Sequence, residues 1–257
     1  MRYRITNVLR MEWAGMARTP SSLLFLVVIP IILIGQALLL SWLLPRYVNP
    51  SLIAVTIPQG SNLDATDGFR LLILSQFQFF VLLIPAMIAN VFATQSIVEE
   101  KMNRTLEPLL ATPVRTWELL VGKIFAGAVP ALAAAWASTG LFILLATLLG
   151  WRSLFPYVLN ATWAISLFVL MPAVSLLSFA VGVIGSSRAR DAKGAQGLAV
   201  LVVLPIFALI FLQVSGLMWF TPLSTTLLSL GFIAIDVLMV RIAVRLFARE
   251  SIVIRWR

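Results

Sequence analysis

The sequence predicts an all-helical membrane protein with six transmembrane helices, and three observations predict it: the composition, the length of the charge-free intervals, and the distribution of the charges that remain. Of 257 residues, 61% are hydrophobic and 11% charged, and the mean hydropathy is +1.02. That is too little polar surface to cover a water-soluble globule. A bilayer core about 30 Å thick takes roughly 20 helical residues, and Asp, Glu, Lys and Arg are absent from 19–45, 71–98, 124–151, 153–187 and 194–235. Each of the first four intervals holds one span. The fifth is too long for one helix and is broken at Phe220, Thr221, Pro222 and Leu223, so it holds a fifth span and the first half of a sixth.

The spans fall near Ser21 to Leu44, Leu71 to Ala93, Ile124 to Leu149, Val158 to Ile184, Leu198 to Trp219 and Leu223 to Phe247, in one transmembrane domain of residues 1–257. The first apolar run exceeds a secretory core and ends in Trp42, Leu43, Leu44 and Pro45 instead of a small-residue cleavage site, which reads as a retained span. With the N-terminus inside, sixteen of the nineteen Lys and Arg fall in inner segments, and only Arg46, Arg70 and Arg152 lie outside. The positive-inside rule then places both termini in the cytoplasm. The net charge of +9 reports this topology and not a nucleic-acid partner. Without cysteine or histidine there is no disulfide, no thiolate or imidazole metal site and no Ser/His/Asp or Cys/His nucleophile.

Residues 1–20 place Ile5, Val8, Leu9, Trp13 and Met16 on one side of a helix and Arg2, Arg4 and Arg10 away from it, the pattern of a helix lying in the inner interface. Glu12 returns to nearly the direction of the apolar stripe. It either snorkels or pairs with a nearby Arg, or it meets a partner or another cytoplasmic loop. The outer connection 45–69 is short and rich in turn formers such as Asn49, Pro50, Pro58 and Gly60, so it offers no large extracellular domain.

The connection 99–123, between the second and third spans, is too long for a minimal turn. Thr105 can cap a short helix with Pro108 in its first turn, while Leu106, Leu109 and Leu110 give that helix an apolar side. A second start follows at Thr112 and Pro113 and leads into the third span. An amphipathic helix here bearing Glu107 suits docking of a soluble partner, and an ordinary solvated loop would carry similar charge.

The run Glu100, Lys101, Thr105, Leu106, Glu107, Leu109, Leu110, Pro113, then Glu118, Leu119, Leu120, Gly122 and Lys123, resembles the cytoplasmic loop of type-2 ABC transporter permeases. Glu12, Arg18 and Pro20 ahead of a first span containing Pro30, and the exit Leu246, Phe247, Ala248, Arg249, Glu250, are similar to the same family. Arg104, where many members carry Gly, and Pro108 depart from the pattern. The resemblance implies an exporter subunit of the cytoplasmic membrane that pairs with a second permease subunit, identical or not. Each subunit would seat its loop helix in one of two ABC ATPase subunits. Glu100, Lys101, Thr105, Leu106, Glu107, Leu109, Leu110 and Pro113 are the residues it assigns to ATPase coupling. No phosphate-binding G-x-x-x-x-G-K-[ST] motif is present, because Gly122 and Lys123 are followed by Ile124. This chain is therefore expected to bind no cofactor, with ATP and Mg held by the partner ATPase.

Polar residues inside spans are candidates for a translocation path or for interhelical hydrogen bonds. Gln76 and Asn90, fourteen residues apart, fall within about 40° of each other on a continuous helix, while Gln78 points elsewhere. Gln36, Asn160 and Gln213 are single amides on other spans. The resemblance implies a path along the second and fifth spans, which ranks Gln76, Asn90 and Gln213 first. Asp236 is the only acid deep in a span. It either meets an interhelical or dimer partner or, in the rival reading, couples ion movement in a secondary transporter or channel. Pro30, Pro85, Pro130, Pro172 and Pro205 fall inside spans and predict kinks.

Overall fold

The computed structural model describes Leu9, Trp13, Ala14 and residues 20–47, 63–102, 116–188, 200–215 and 220–246. Among these the regular structure is helical throughout: α1 (Pro20–Tyr47), α2 (Ala65–Phe80), α3 (Leu83–Met102), α4 (Thr116–Leu148), the one-turn α5 (Phe155–Val158), α6 (Ala161–Ile165), α7 (Met171–Arg188), α8 (Val200–Val214) and α9 (Pro222–Leu246). Five stretches are long and apolar enough to cross a membrane: Leu26–Tyr47, Ala65–Ile97, Trp117–Leu148, Ala161–Ser186 and Pro222–Leu246.

The predicted fifth span, Leu198 to Trp219, is represented by the 15 residues of α8. Leu198, Ala199 and 216–219 of that span lie outside the described residues. Both ends of the predicted 45–69 connection are helical, with Pro45 to Tyr47 closing α1 and Ala65 opening α2. The Arg46 guanidinium lies 3.7 Å from the centroid of the Trp42 ring one turn earlier, a cation–π contact that orders the helix end. In the same way Glu99 to Met102 and Thr116 to Lys123 are helical at the two ends of the 99–123 connection.

The second crossing is not one continuous helix. Pro85 has no N–H to give to the Val81 carbonyl, and Ile84 N–H takes that carbonyl in a tighter turn (3.1 Å), as Leu82 N–H does with Phe79 (3.1 Å). The chain therefore turns at Val81 and Leu82 between α2 and α3. The fourth crossing answers its proline differently. Ahead of Pro172, residues Ser166–Leu170 form a π-helical turn in which the Met171 N–H donates to the Ser166 carbonyl, five residues back.

α3 and α7 form the centre, where small residues let the backbones approach. A Cβ on Gly182 would stand 2.7 Å from the Ala93 Cβ and 3.1 Å from Asn90 Nδ2. One on Gly127 of α4 would stand 2.0 Å from the Phe179 ring. The Ser178 hydroxyl donates to the Ala86 carbonyl, and Ser175 to Ala128 at 3.3 Å. α1 packs on α2, α3 and α4; α8 packs on α2, α3 and α7; α9 packs on α7 and the π turn.

α4 ends at Gly150, whose φ of 84° lies in the left-handed region that glycine enters without a Cβ penalty. Beyond it the chain crosses through a 3₁₀ turn, Trp151–Leu154, and α5 to Asn160. Near this end Phe77 stacks on Phe142, with centroids 3.8 Å apart and planes at 13°, and Trp163 flanks both rings.

Candidate functional site

Polar side chains inside this bundle gather in three places. The first is the root of the 99–123 connection, where α3 leaves the bundle and α4 returns. Lys123 is 2% exposed, and its Nζ donates to Ser96 Oγ on α3 at 2.7 Å. Burying an ammonium is costly without hydrogen bonds, so this bond holds the two helices together where the connection starts. One turn further along α4, the Ala126 carbonyl accepts from Trp13 Nε1 at 2.9 Å. The N-terminal segment, α3 and α4 thus converge within one turn of α4, and Glu118 is buried in the turn before. Of the residues assigned to coupling, the side chains of Glu100 and Lys101 and the whole of Thr105, Leu106, Glu107, Leu109, Leu110 and Pro113 lie outside the described residues, as do Glu12 and Arg18.

The second place is a cleft of about 190 Å³ near the Gly150 end, between α2, α5, α6 and the end of α8. Gln78, Gln213, Ser75, Asn160 and Tyr157 line it. Gln213 and Gln78 are both buried, and the Oε1 of each has no hydrogen-bond partner among the described residues. Counting along one helix places Gln76 and Asn90 together and turns Gln78 away. Gln78, which that count turns away, is the residue that shares a cleft with Gln213. Gln76 is buried on α2, and its Oε1 likewise has no partner among the described residues. Asn90 is 1% exposed and faces Gly182 across the α3–α7 contact. Asn160, predicted as an amide within a span, caps α6 by accepting from Trp163 N–H at 3.1 Å. On α2 at the same end, Arg70 pairs with Asp67 at 2.9 Å and lies 5.7 Å from the centroid of the Trp151 ring.

The third place surrounds Asp236. It is 6% exposed on α9, and neither carboxylate oxygen has a hydrogen-bond partner among the described residues. The interhelical partner expected for it is therefore not found there. It opens on a crevice of about 640 Å³ between α4, the π turn, α7 and α9. Arg241 borders the same crevice without pairing to Asp236, as a five-residue offset on one helix requires.

Apolar crossings that enclose amides, a hydrogen-bonded lysine and an unpaired carboxylate define a polytopic helical membrane protein. A family model described as ABC-2 family transporter protein matches residues 6–243, and the chain belongs to that family. Members of that family are membrane subunits of ABC transporters, not themselves catalytic, and normally work with an ATPase subunit. This agrees with the resemblance carried by the 99–123 connection. No curated protein matches the sequence.

Lys123 and Gln78 are the polar residues that sequence reasoning undervalued. The sequence held a signal for each: a basic residue entering an apolar run, and Pro85 seven residues after Gln78.

Proposed function

We propose that this chain is the six-span permease of an ATP-driven exporter, with both termini in the cytoplasm, working as a homodimer or pseudo-symmetric heterodimer with two ATPase subunits. The observation that carries the reading is the junction at the root of the 99–123 connection, where Lys123 donates to Ser96. A push on a helix at residues 105–111 would reach α3 and α4 together, because the bond ties them at their common end. α3 in turn lies against α7 through contacts with no slack at Gly182. Movement of α3 and α7 would then be felt at the α2–α8 cleft, where Gln78 and Gln213 hold acceptors unpaired among the described residues for a cargo that leaves on the outer side. Gln76 and Asn90 complete the path in this reading. Amides and apolar groups suit an amphiphilic cargo.

The test is Glu107→Arg. The variant is expected to insert normally and to lose about tenfold or more of its ATPase co-purification and of its stimulation of ATP hydrolysis, a reversal of charge at a docking contact. Unchanged coupling in an inserted variant would remove the docking assignment. Transport by the purified chain alone, indifferent to ATP and abolished by Asp236→Asn, would favour an ion-coupled transporter instead.

A further inference from the structure

We propose that the crevice at Asp236 is a binding site for a hydrophobic amine dissolved in the membrane, a monovalent ammonium group on an apolar body. The site shares no residue with the Gln78–Gln213 cleft, and the proposal does not depend on ATP-driven export.

The volume, about 640 Å³, lies in the range of pockets that take small organic ligands. The walls are almost wholly apolar: Phe125 and Ile124 from α4, Phe168 from the π turn, Pro172 and Leu176 from α7, and Val237 from α9. One acidic residue, Asp236, lines them, 6% exposed and with both oxygens buried and unpaired among the described residues. A charge held in hydrocarbon is retained where something pairs with it. A neutral lipid tail would fill the volume and leave both oxygens without a hydrogen bond. An ammonium N–H supplies the missing charge-assisted hydrogen bond, and Phe125 and Phe168 among the lining residues give the apolar body a wall to pack on.

The route of entry selects among ammonium sources. Arg241 stands on the crevice wall between Asp236 and the Leu246 end of α9, where its guanidinium opposes a cation arriving from the water. Phe125, Phe168 and Val237 are exposed along the crevice, so it opens sideways toward hydrocarbon. Asp236 lies five residues from Arg241, about 8 Å along the helix, so the phosphatidylethanolamine arm of the test below separates a dissolved amine from a headgroup amine.

The test uses the full chain in phosphatidylcholine nanodiscs, with empty nanodiscs subtracted for partitioning. The probes are 6-(2-naphthyl)hexylamine and its neutral counterpart 6-(2-naphthyl)hexanol, read by fluorescence anisotropy. Saturable binding of one amine per chain is expected, at least about tenfold tighter than the alcohol, as a charge-assisted hydrogen bond requires. Asp236→Asn should remove that preference and leave alcohol binding unchanged. Val237→Trp, at an exposed wall position, should weaken both probes by narrowing the crevice, and it decides the matter if the Asn variant does not fold. Equal binding of amine and alcohol by the unsubstituted chain, or amine binding indifferent to both substitutions, would overturn the proposal. So would competition by phosphatidylethanolamine in the nanodisc, which would assign the site to a lipid headgroup. A shift in oligomeric state on Asp236→Asn without amine binding would assign it to a second copy of the chain.

Discussion

Lys123 and Asp236 are both charged residues buried in an apolar bundle, and the structure treats them in opposite ways. Lys123 reaches Ser96 on a neighbouring helix, and the bond closes the end of the bundle from which a polar connection departs. Asp236 has no such neighbour among the described residues and faces an open crevice. A buried charge with a hydrogen-bonded partner holds parts together. One without a partner is a cost to the folded chain, relieved by an added partner or by a proton.

Four substitutions sharpen or break this contrast. Lys123→Glu removes the donor and puts a carboxylate in its place inside the buried junction. It should destabilise the detergent-solubilised chain by about 3–5 kcal/mol in thermal or denaturant unfolding. Gly182→Val changes packing without charge, forcing side-chain atoms onto Ala93 and Asn90, with an expected loss of about 1–3 kcal/mol by the same measurement. Ser96→Ala keeps Lys123 and removes its acceptor, at about 1 kcal/mol, together with a measurable fall in ATPase stimulation. Asp236→Asn should leave stability within about 0.5 kcal/mol or raise it, because no hydrogen bond is lost and a buried charge disappears. A loss above about 2 kcal/mol in that last variant would mean that Asp236 has a partner after all, and the contrast would fail.

The crossings were legible because lipid leaves little choice: charge-free intervals of the right length can only be helices whose backbone groups bond internally. The prolines were legible as disturbances, but not which disturbance each would cause. Pro85 yields a tight turn between two helices and Pro172 a π turn, and the choice depends on what packs alongside. Counting from Gln76 to Asn90 assumed one helix, and α2 ends at Phe80 before α3 begins at Leu83. Ser96 and Lys123 are 27 residues apart, and no periodicity links them. Asn160 stood just inside a predicted span, where a helix cap and an intramembrane amide look alike. The residues assigned to coupling were named only through resemblance to a family, and the described residues do not include their side chains.

The π turn at Ser166–Leu170 gives the fourth crossing a screw offset. One additional residue in a turn advances every later side chain by about 100° around the axis. The half before the offset presents Trp163 to the rings of Phe77 and Phe142, and the half after it presents Phe179 to Gly127 and Gly182 to Ala93. A single unbroken spiral could not aim both sets inward at once. The bulge itself displaces Phe168 and Val169 to the flank, and so the walls of the Asp236 crevice owe their position to a proline four residues after Phe168.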